Sequence, residues 1–141
     1  MVHDWDIRLA NYVDSVRYRG FDWSEFDCLV FANGAAQAQL DRDVFDDWIG
    51  DYNCYKSAYK HYKGLLKKYN EKSIITAIDG RLNRVDRLMP MRGNIVARRH
   101  SDLSVLGITL GVAVSDVIAF VGYNGLEFFR PTDGDIYWSV S

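Results

Sequence analysis

The residue of this chain best placed to do chemistry is Cys28, because its thiol comes at the start of a helix that the sequence predicts. Residues 21–28 read FDWSEFDC, and a run of small residues follows. Free N–H groups and the macrodipole at a helix N-terminus stabilise a thiolate, and the same N–H groups can stabilise an oxyanion on a bound acyl group. Asp27 is placed to cap the helix through its side chain. Cys28 is therefore either a nucleophile or, like most free cysteines, a small buried hydrophobic residue.

A nucleophilic thiol needs a base, and the chain offers three histidines for that role. His3 lies near the N-terminus and His61 lies among lysines on a predicted helix, so we expect both at the surface. His100 lies in the loop predicted between the first two strands. It is the candidate base if that loop brings it within hydrogen-bond reach of Cys28, and a solvated hairpin residue otherwise.

Composition excludes several other kinds of site. The net charge is −2, which gives no overall positive field for nucleic acid. Two cysteines, Cys28 and Cys54, are too few for a disulfide framework or a Cys-only zinc site, and no metal-binding motif occurs, so we expect neither metal nor cofactor. No apolar run approaches the ~20 residues of a membrane span. Residues 1–20 are charged and contain no apolar segment, so we expect no signal peptide there. We expect a chain made in a reducing cytoplasm, with Cys28 and Cys54 unbonded.

The positions of the charged residues are uneven. Every lysine lies between Lys56 and Lys72, and five aspartates occupy residues 41–51, immediately before them. We interpret this pattern as a solvated helix beside an acidic loop.

The elements that must position Cys28 are helices in the first half and strands in the second. Apolar periodicity predicts helices at residues 4–18, 27–40, 53–69 and 73–82. An interior glycine, Gly34, in the second helix predicts a buried central helix in close contact with neighbouring backbone. Five β-rich runs, at 94–98, 105–114, 117–120, 126–130 and 136–140, predict an antiparallel meander. Alternation should turn Leu106, Ile108 and Leu110 toward the Cys28 helix. The prediction is one α+β domain over residues 1–141, with helices packed on a sheet of about five strands.

The residues around Cys28 resemble a known family. Residues 23–28, WSEFDC, resemble the Trp-Gly-x-x-Asp-Cys entry to the catalytic helix of NlpC-type cell-wall peptidases, a papain-like superfamily. More of the chain resembles small phage and prophage tail-module proteins related to that superfamily. Their later motifs match residues 50–52 (GDY), 58–65 (AYKHYKGL), 92–96 (RGNIV), 106–111 (LGITLG), 125–128 (GLEF) and 137–138 (YW). The order and spacing of these short motifs carry the resemblance over roughly residues 20–140.

The resemblance implies a papain-like fold with Cys28 at the nucleophile position and with Trp23 and Asp27 as binding residues of the same site. It also marks what differs here. Active members carry a histidine at a position that corresponds to about Val105, and a further polar residue near Ala119 or Phe120. With neither present, an unassisted thiol is a poor peptidase nucleophile.

Three functions therefore stay open, in order of preference. The first is a structural or assembly protein of the phage tail, at the tip or hub, with a degenerate peptidase-like domain and other tail proteins as partners. The second is a cysteine peptidase or amidase that cuts peptidoglycan peptides, with Cys28 as nucleophile and His100 as base. The third is a module that binds cell-wall peptide or glycan without cleaving it. Each would place the protein in the virion after synthesis in the host cytoplasm.

Overall fold

The computed structural model describes residues 1–86, 88–99 and 105–141. In these ranges the α-helices are α1 (Trp5–Val16), α2 (Cys28–Leu40), α3 (Tyr55–Lys68) and α4 (Ile74–Asp79), with a 3-10 turn at Asp46–Trp48. The strands that follow are β1 (Asn83–Val85), β2 (Ile95–Arg99), β3 (Ile108–Ala113), β4 (Ile118–Gly122), β5 (Gly125–Phe129) and β6 (Ile136–Ser139). Helices followed by an antiparallel sheet are the predicted α+β architecture.

The order of the strands differs from the predicted meander at both ends of the chain's β half. The sheet order is β1-β6-β2-β3-β4-β5, and every pair is antiparallel. Strands β2 to β5 form the meander, whereas β6 returns across the sheet and pairs with β2, with Tyr137 opposite Val96. Strand β1 was not predicted. It has only three residues and pairs only with β6, at the far end of the sequence, so no local pattern indicates it.

The face of the sheet that meets the helices is set by alternation along β3. Ile108 and Leu110 are buried in the main core against α2, as predicted. The prediction that Leu106 belongs to this strand is wrong. Leu106 lies before the strand, in a turn with φ 59°, and is only partly buried. The left-handed turn at Leu106 and Gly107 breaks the alternation, so the strand begins at Ile108 rather than at residue 105.

Helix α2 is the buried centre of the molecule, as its small residues predicted. Its buried positions include Phe31, Ala32, Ala35 and Ala36, all without solvent exposure. Small side chains let α1 and the sheet approach its backbone closely. At Gly34 the close neighbour is a side chain rather than backbone, because a Cβ there would lie 2.1 Å from the hydroxyl oxygen of Tyr12.

Two buried polar side chains of α2 fasten loops to this centre. Asn33 accepts hydrogen bonds from the backbone N–H groups of Val44 at 3.0 Å and Phe45 at 2.8 Å. Gln39 donates to the carbonyl of Gly93 at 2.9 Å, next to the start of β2. Both side chains are satisfied, so their burial costs little. Among the described helices, none has the length and apolar character needed to cross a membrane.

Candidate functional site

The N-terminus of α2 is built around the carboxylate of Asp27, which is 4% exposed. One carboxylate oxygen accepts the N–H of Val30 at 2.9 Å, which confirms the predicted helix cap. The other accepts the N–H of Ser24 at 3.1 Å and the hydroxyl of Tyr52. Three donors compensate the burial of this negative charge. The cap fixes Cys28 as the first residue of the helix, and Cys28 and Cys54 are both free thiols, as predicted.

The thiol of Cys28 faces a narrow pocket between α2 and the sheet. Together with its open mouth the pocket measures about 430 Å³. Only about 30 Å³ of this space is open to the centres of water molecules, which is room for roughly two of them. The walls are almost entirely apolar, and they include Phe21, Trp23, Leu29, Ile74, Ile108 and Leu110. Such a site admits a slender group and excludes most water.

A pair of buried tyrosines completes the polar side of the site. Tyr52 donates its hydroxyl proton to Asp27, and its oxygen lies 2.6 Å from the hydroxyl oxygen of Tyr62. Tyr62 therefore donates to Tyr52, and it also lines the Cys28 pocket. Burial raises the pKa of both tyrosines far above the ordinary value, and the negative charge of Asp27 raises it further. Both stay neutral, so this chain of hydroxyls supplies hydrogen bonds and no base.

Sequence reasoning missed the role of these tyrosines. In the sequence, Tyr52 belongs only to the GDY motif and Tyr62 only to the motif at residues 58–65, and neither motif indicates a role for its tyrosine. The buried residues of α3 are Ala58, Tyr62 and Leu66, whereas its other tyrosines, Tyr55 and Tyr59, are exposed. Tyr52 lies 25 residues from Asp27 in the chain, and Tyr62 reaches Asp27 only through Tyr52, so no local pattern could indicate the network.

The state of the Cys28 thiol follows from these surroundings. Burial raises its pKa to about 12, and the negative charge of Asp27 acts in the same direction. The N–H groups of Leu110, Cys28 and Leu29 act in the opposite direction and are outweighed. The helix N-terminus was expected to stabilise the thiolate, but burial and the charge of Asp27 destabilise it more. Cys28 holds a protonated thiol at neutral pH, although part of the residue is accessible through the pocket.

The histidines are placed as follows. His3 is exposed, as predicted. His61 was predicted at the surface and that is wrong, because its ring packs against Tyr52 and its Nε2 lies 2.6 Å from the carbonyl oxygen of Trp48. His100 lies outside the described residues. Ten described residues line the Cys28 pocket, and none of these ten is a histidine.

The three residues where the resemblance implies polar catalytic groups can be located in the structure. Val105, near the position where the resemblance implies a histidine in active members, lines the Cys28 pocket. Ala119 is fully buried in the main core, and Phe120 belongs to the cluster on the opposite face of the sheet. None of the three side chains can accept a proton.

Trp23 stands at the mouth of the pocket, within an aromatic rim. Its ring meets that of Phe21 edge-on at 4.7 Å between centroids. The centroid of its ring also lies 6.3 Å from that of Tyr52 and 6.5 Å from that of Tyr55, on α3. The structure therefore brings together Cys28, Asp27 and Trp23, three of the four residues singled out from the sequence.

Fold and site define an α+β protein with a protonated thiol at the N-terminus of a buried central helix. By sequence, residues 1–140 match the family model described as "Domain of unknown function (DUF6950)", and the chain belongs to that family. A search of curated proteins gives no significant match. A search of solved structures gives none either.

Proposed function

We propose that this chain is a catalytically degenerate relative of the NlpC-type papain-like peptidases that serves as a structural or assembly protein of a phage tail. The observation that carries the proposal is the Cys28 pocket. Its thiol has a pKa raised to about 12, and Val105, a pocket residue near the place where the resemblance implies the base of active members, cannot accept a proton. General acid–base help is worth about 10²–10⁴ in rate; none of the described residues that line this pocket is a histidine, and its one carboxylate, Asp27, already accepts three hydrogen bonds.

Local geometry supports the proposed kinship. The resembling motif has glycine where this chain has Ser24, and Ser24 adopts φ 60°, the left-handed conformation that glycine occupies without strain. Asp27 caps the helix and Trp23 borders the pocket, as expected of residues beside a nucleophile. A cysteine-bearing helix packed on an antiparallel sheet is also what a papain-like domain requires.

The absence of catalysis is tested on cell-wall substrate. Purified protein and its Cys28→Ala variant are incubated with peptidoglycan sacculi, and newly released amino groups and muropeptides are followed over several hours. We expect no release above the buffer blank from either protein. Fragments produced by the unmutated protein alone would contradict the proposal.

The assembly role is tested in the phage or prophage that carries the gene. A deletion of the gene should reduce the yield of intact tails, as counted by electron microscopy. Both the unmutated gene and Cys28→Ala should restore it, because the proposed role does not use the thiol. Normal tails from the deletion would exclude the structural role.

An active cysteine peptidase or amidase is the second candidate, and the position of Val105 favours keeping it. Val105 lines the pocket, and His100 precedes it by only five residues. If His100 is the base, His100→Ala should abolish fragment release as completely as Cys28→Ala. Equal background values for all three proteins would exclude this candidate.

A further inference from the structure

The outer face of α3 combines exposed lysines with exposed tyrosines, and we call it the lysine–tyrosine face. Lys56, Lys60, Lys63 and Lys67 are exposed along it. Tyr55 and Tyr59 border the lysines, with 53% and 41% of their surface exposed. At 100° per residue these six positions fall within one arc of the helix, next to its buried side. The arc is about 16 Å long from Lys56 to Lys67.

The lysines of this face have no carboxylate partner among the described residues. The ion pairs in the described ranges all use arginine. Two aspartates of the acidic loop pair with arginines instead, since Asp41 pairs with Arg8 at 3.0 Å and Asp47 pairs with Arg81. The helix is solvated along its lysines, as predicted, and the structure shows no ion pair between these lysines and the acidic loop within the described ranges.

This arrangement does not help the helix that carries it. Helix α3 has five lysines and no acidic residue. Lys56 and Lys60 are four residues apart, as are Lys63 and Lys67, and like charges at that spacing destabilise a helix by a few tenths of a kcal/mol. Exposed tyrosines likewise gain little from the core. Intramolecular stability gives no reason for this combination of residues.

The two tyrosines form an anchor of the kind found at protein interfaces. Their rings stack at 6.3 Å between centroids, and the ammonium group of Lys63 lies 5.6 Å from the Tyr59 ring. Tyr55 also contacts Trp23 at the mouth of the Cys28 pocket. Aromatic side chains are enriched in the centres of protein interfaces, while charges at the rim steer the partner and select it.

We propose that the lysine–tyrosine face docks a short acidic segment of another protein. Charge complementarity sets the sign of the partner. The length of the partner's charged stretch is limited by acidic residues of this chain, because Tyr69, just beyond α3, is bonded to Asp47 at 2.9 Å. A long phosphate polymer that followed the lysines would continue past Asp46 and Asp47, and the chain as a whole carries −2. A segment of three or four carboxylates with aromatic neighbours fits the available 16 Å or so.

This docking surface deepens the assembly part of the proposed function and rests on it only in requiring a protein partner. The probe is a short fluorescent copolymer of glutamate and tyrosine, with no more than about four carboxylates so that it matches the length of the face, and binding is measured by anisotropy at 50 and 200 mM salt. We expect saturable binding that weakens about tenfold or more at the higher salt concentration. The variant Lys56→Glu/Lys60→Glu/Lys63→Glu should bind at least tenfold more weakly, and Tyr55→Ala/Tyr59→Ala several-fold more weakly.

Matched controls separate this face from charge and aromatic content in general. Arg42→Glu/Lys72→Glu/Arg130→Glu makes the same change in net charge at exposed positions elsewhere, and Tyr18→Ala removes an exposed tyrosine from α1's C-terminal side. Both controls should bind nearly as the unmutated protein does. If the triple lysine variant fails to fold, as judged by thermal unfolding, Lys56→Gln/Lys60→Gln/Lys63→Gln removes the charges without adding repulsion.

Three results would overturn the proposal. They are equal loss of binding in the control and α3 variants, salt-independent binding, and tighter binding of a 20-mer oligothymidylate or of heparin than of the copolymer. The copolymer assay and the peptidoglycan assay together separate this proposal from the previous one. Normal copolymer binding by a protein that hydrolyses peptidoglycan would refute only the loss of catalysis, and absent binding by an inert protein would refute only the docking face.

Discussion

At the scale of single residues, the local surroundings of each thiol decide its reactivity more than its position on a helix does. Cys28 and Cys54 both stand at helix N-termini. Cys28 lies among apolar groups beside Asp27, and its pKa is raised to about 12. Cys54 is exposed, and a hydrogen bond with the Ser57 hydroxyl lowers its pKa. The cysteine that the sequence singles out is thus the less reactive of the two.

Iodoacetamide should therefore modify Cys54 well before Cys28. At pH 7.5 a thiol with a pKa near 12 has a thiolate fraction of about 10⁻⁴ to 10⁻⁵. We expect at least a tenfold difference in rate by peptide mapping, with Cys54→Ala and Cys28→Ala as the controls that leave one thiol each. The Cys28 rate should rise about tenfold per pH unit through pH 7–10 without a plateau. Rapid labelling of Cys28 at pH 6 would show an activated thiol and favour the enzymatic function.

At the scale of elements, two glycines in neighbouring helices have opposite roles. Gly34 in α2 faces the ring of Tyr12 in α1, and a Cβ would overlap its hydroxyl oxygen. Gly64 in α3 has no other atom within 4 Å of the position that a Cβ would take. The first glycine is required by packing between helices, whereas the second only weakens its own helix.

Alanine at each position tests this difference by urea denaturation. Gly34→Ala should lower the free energy of unfolding by about 1–3 kcal/mol, because overpacking outweighs the gain of about 1 kcal/mol in helix propensity. Gly64→Ala, the matched control, should raise it by up to about 1 kcal/mol. A Gly34→Ala protein as stable as the Gly64→Ala protein would mean that Tyr12 moves aside without cost.

At the scale of the whole molecule, the returning strand β6 holds the sheet together. It lies between β1 and β2, and without it β1 has no partner in the sheet. Its Trp138 is fully buried in the main core and donates its indole N–H to Asp79, at the end of α4, at 2.8 Å. The last strand therefore joins the helical half to the centre of the sheet.

Truncation of this side chain should consequently affect the entire fold. Trp138→Ala should lower the free energy of unfolding by about 3–5 kcal/mol, with a single cooperative transition at lower urea. Phe129→Ala, on the edge strand β5 where the ring is 46% exposed, should cost no more than about 1 kcal/mol. Similar losses for both variants would show that β6 has no special part in stability.

What the sequence determined by itself is the set of features that depend on residues close together in the chain. Helical periodicity, the Asp27 cap and the small residues of α2 predicted the helices and the buried centre, and Ile108 and Leu110 predicted the inner face of β3. The tertiary structure alone decided what depends on distant partners. The pairing of β6 with β2, the existence of β1, the left-handed turn at Leu106 and the bonds from Tyr52 and Tyr62 toward Asp27 are all of this kind. The pKa of Cys28 belongs with them, because burial and a neighbouring charge outweigh the helix N-terminus only once the chain has closed around the thiol.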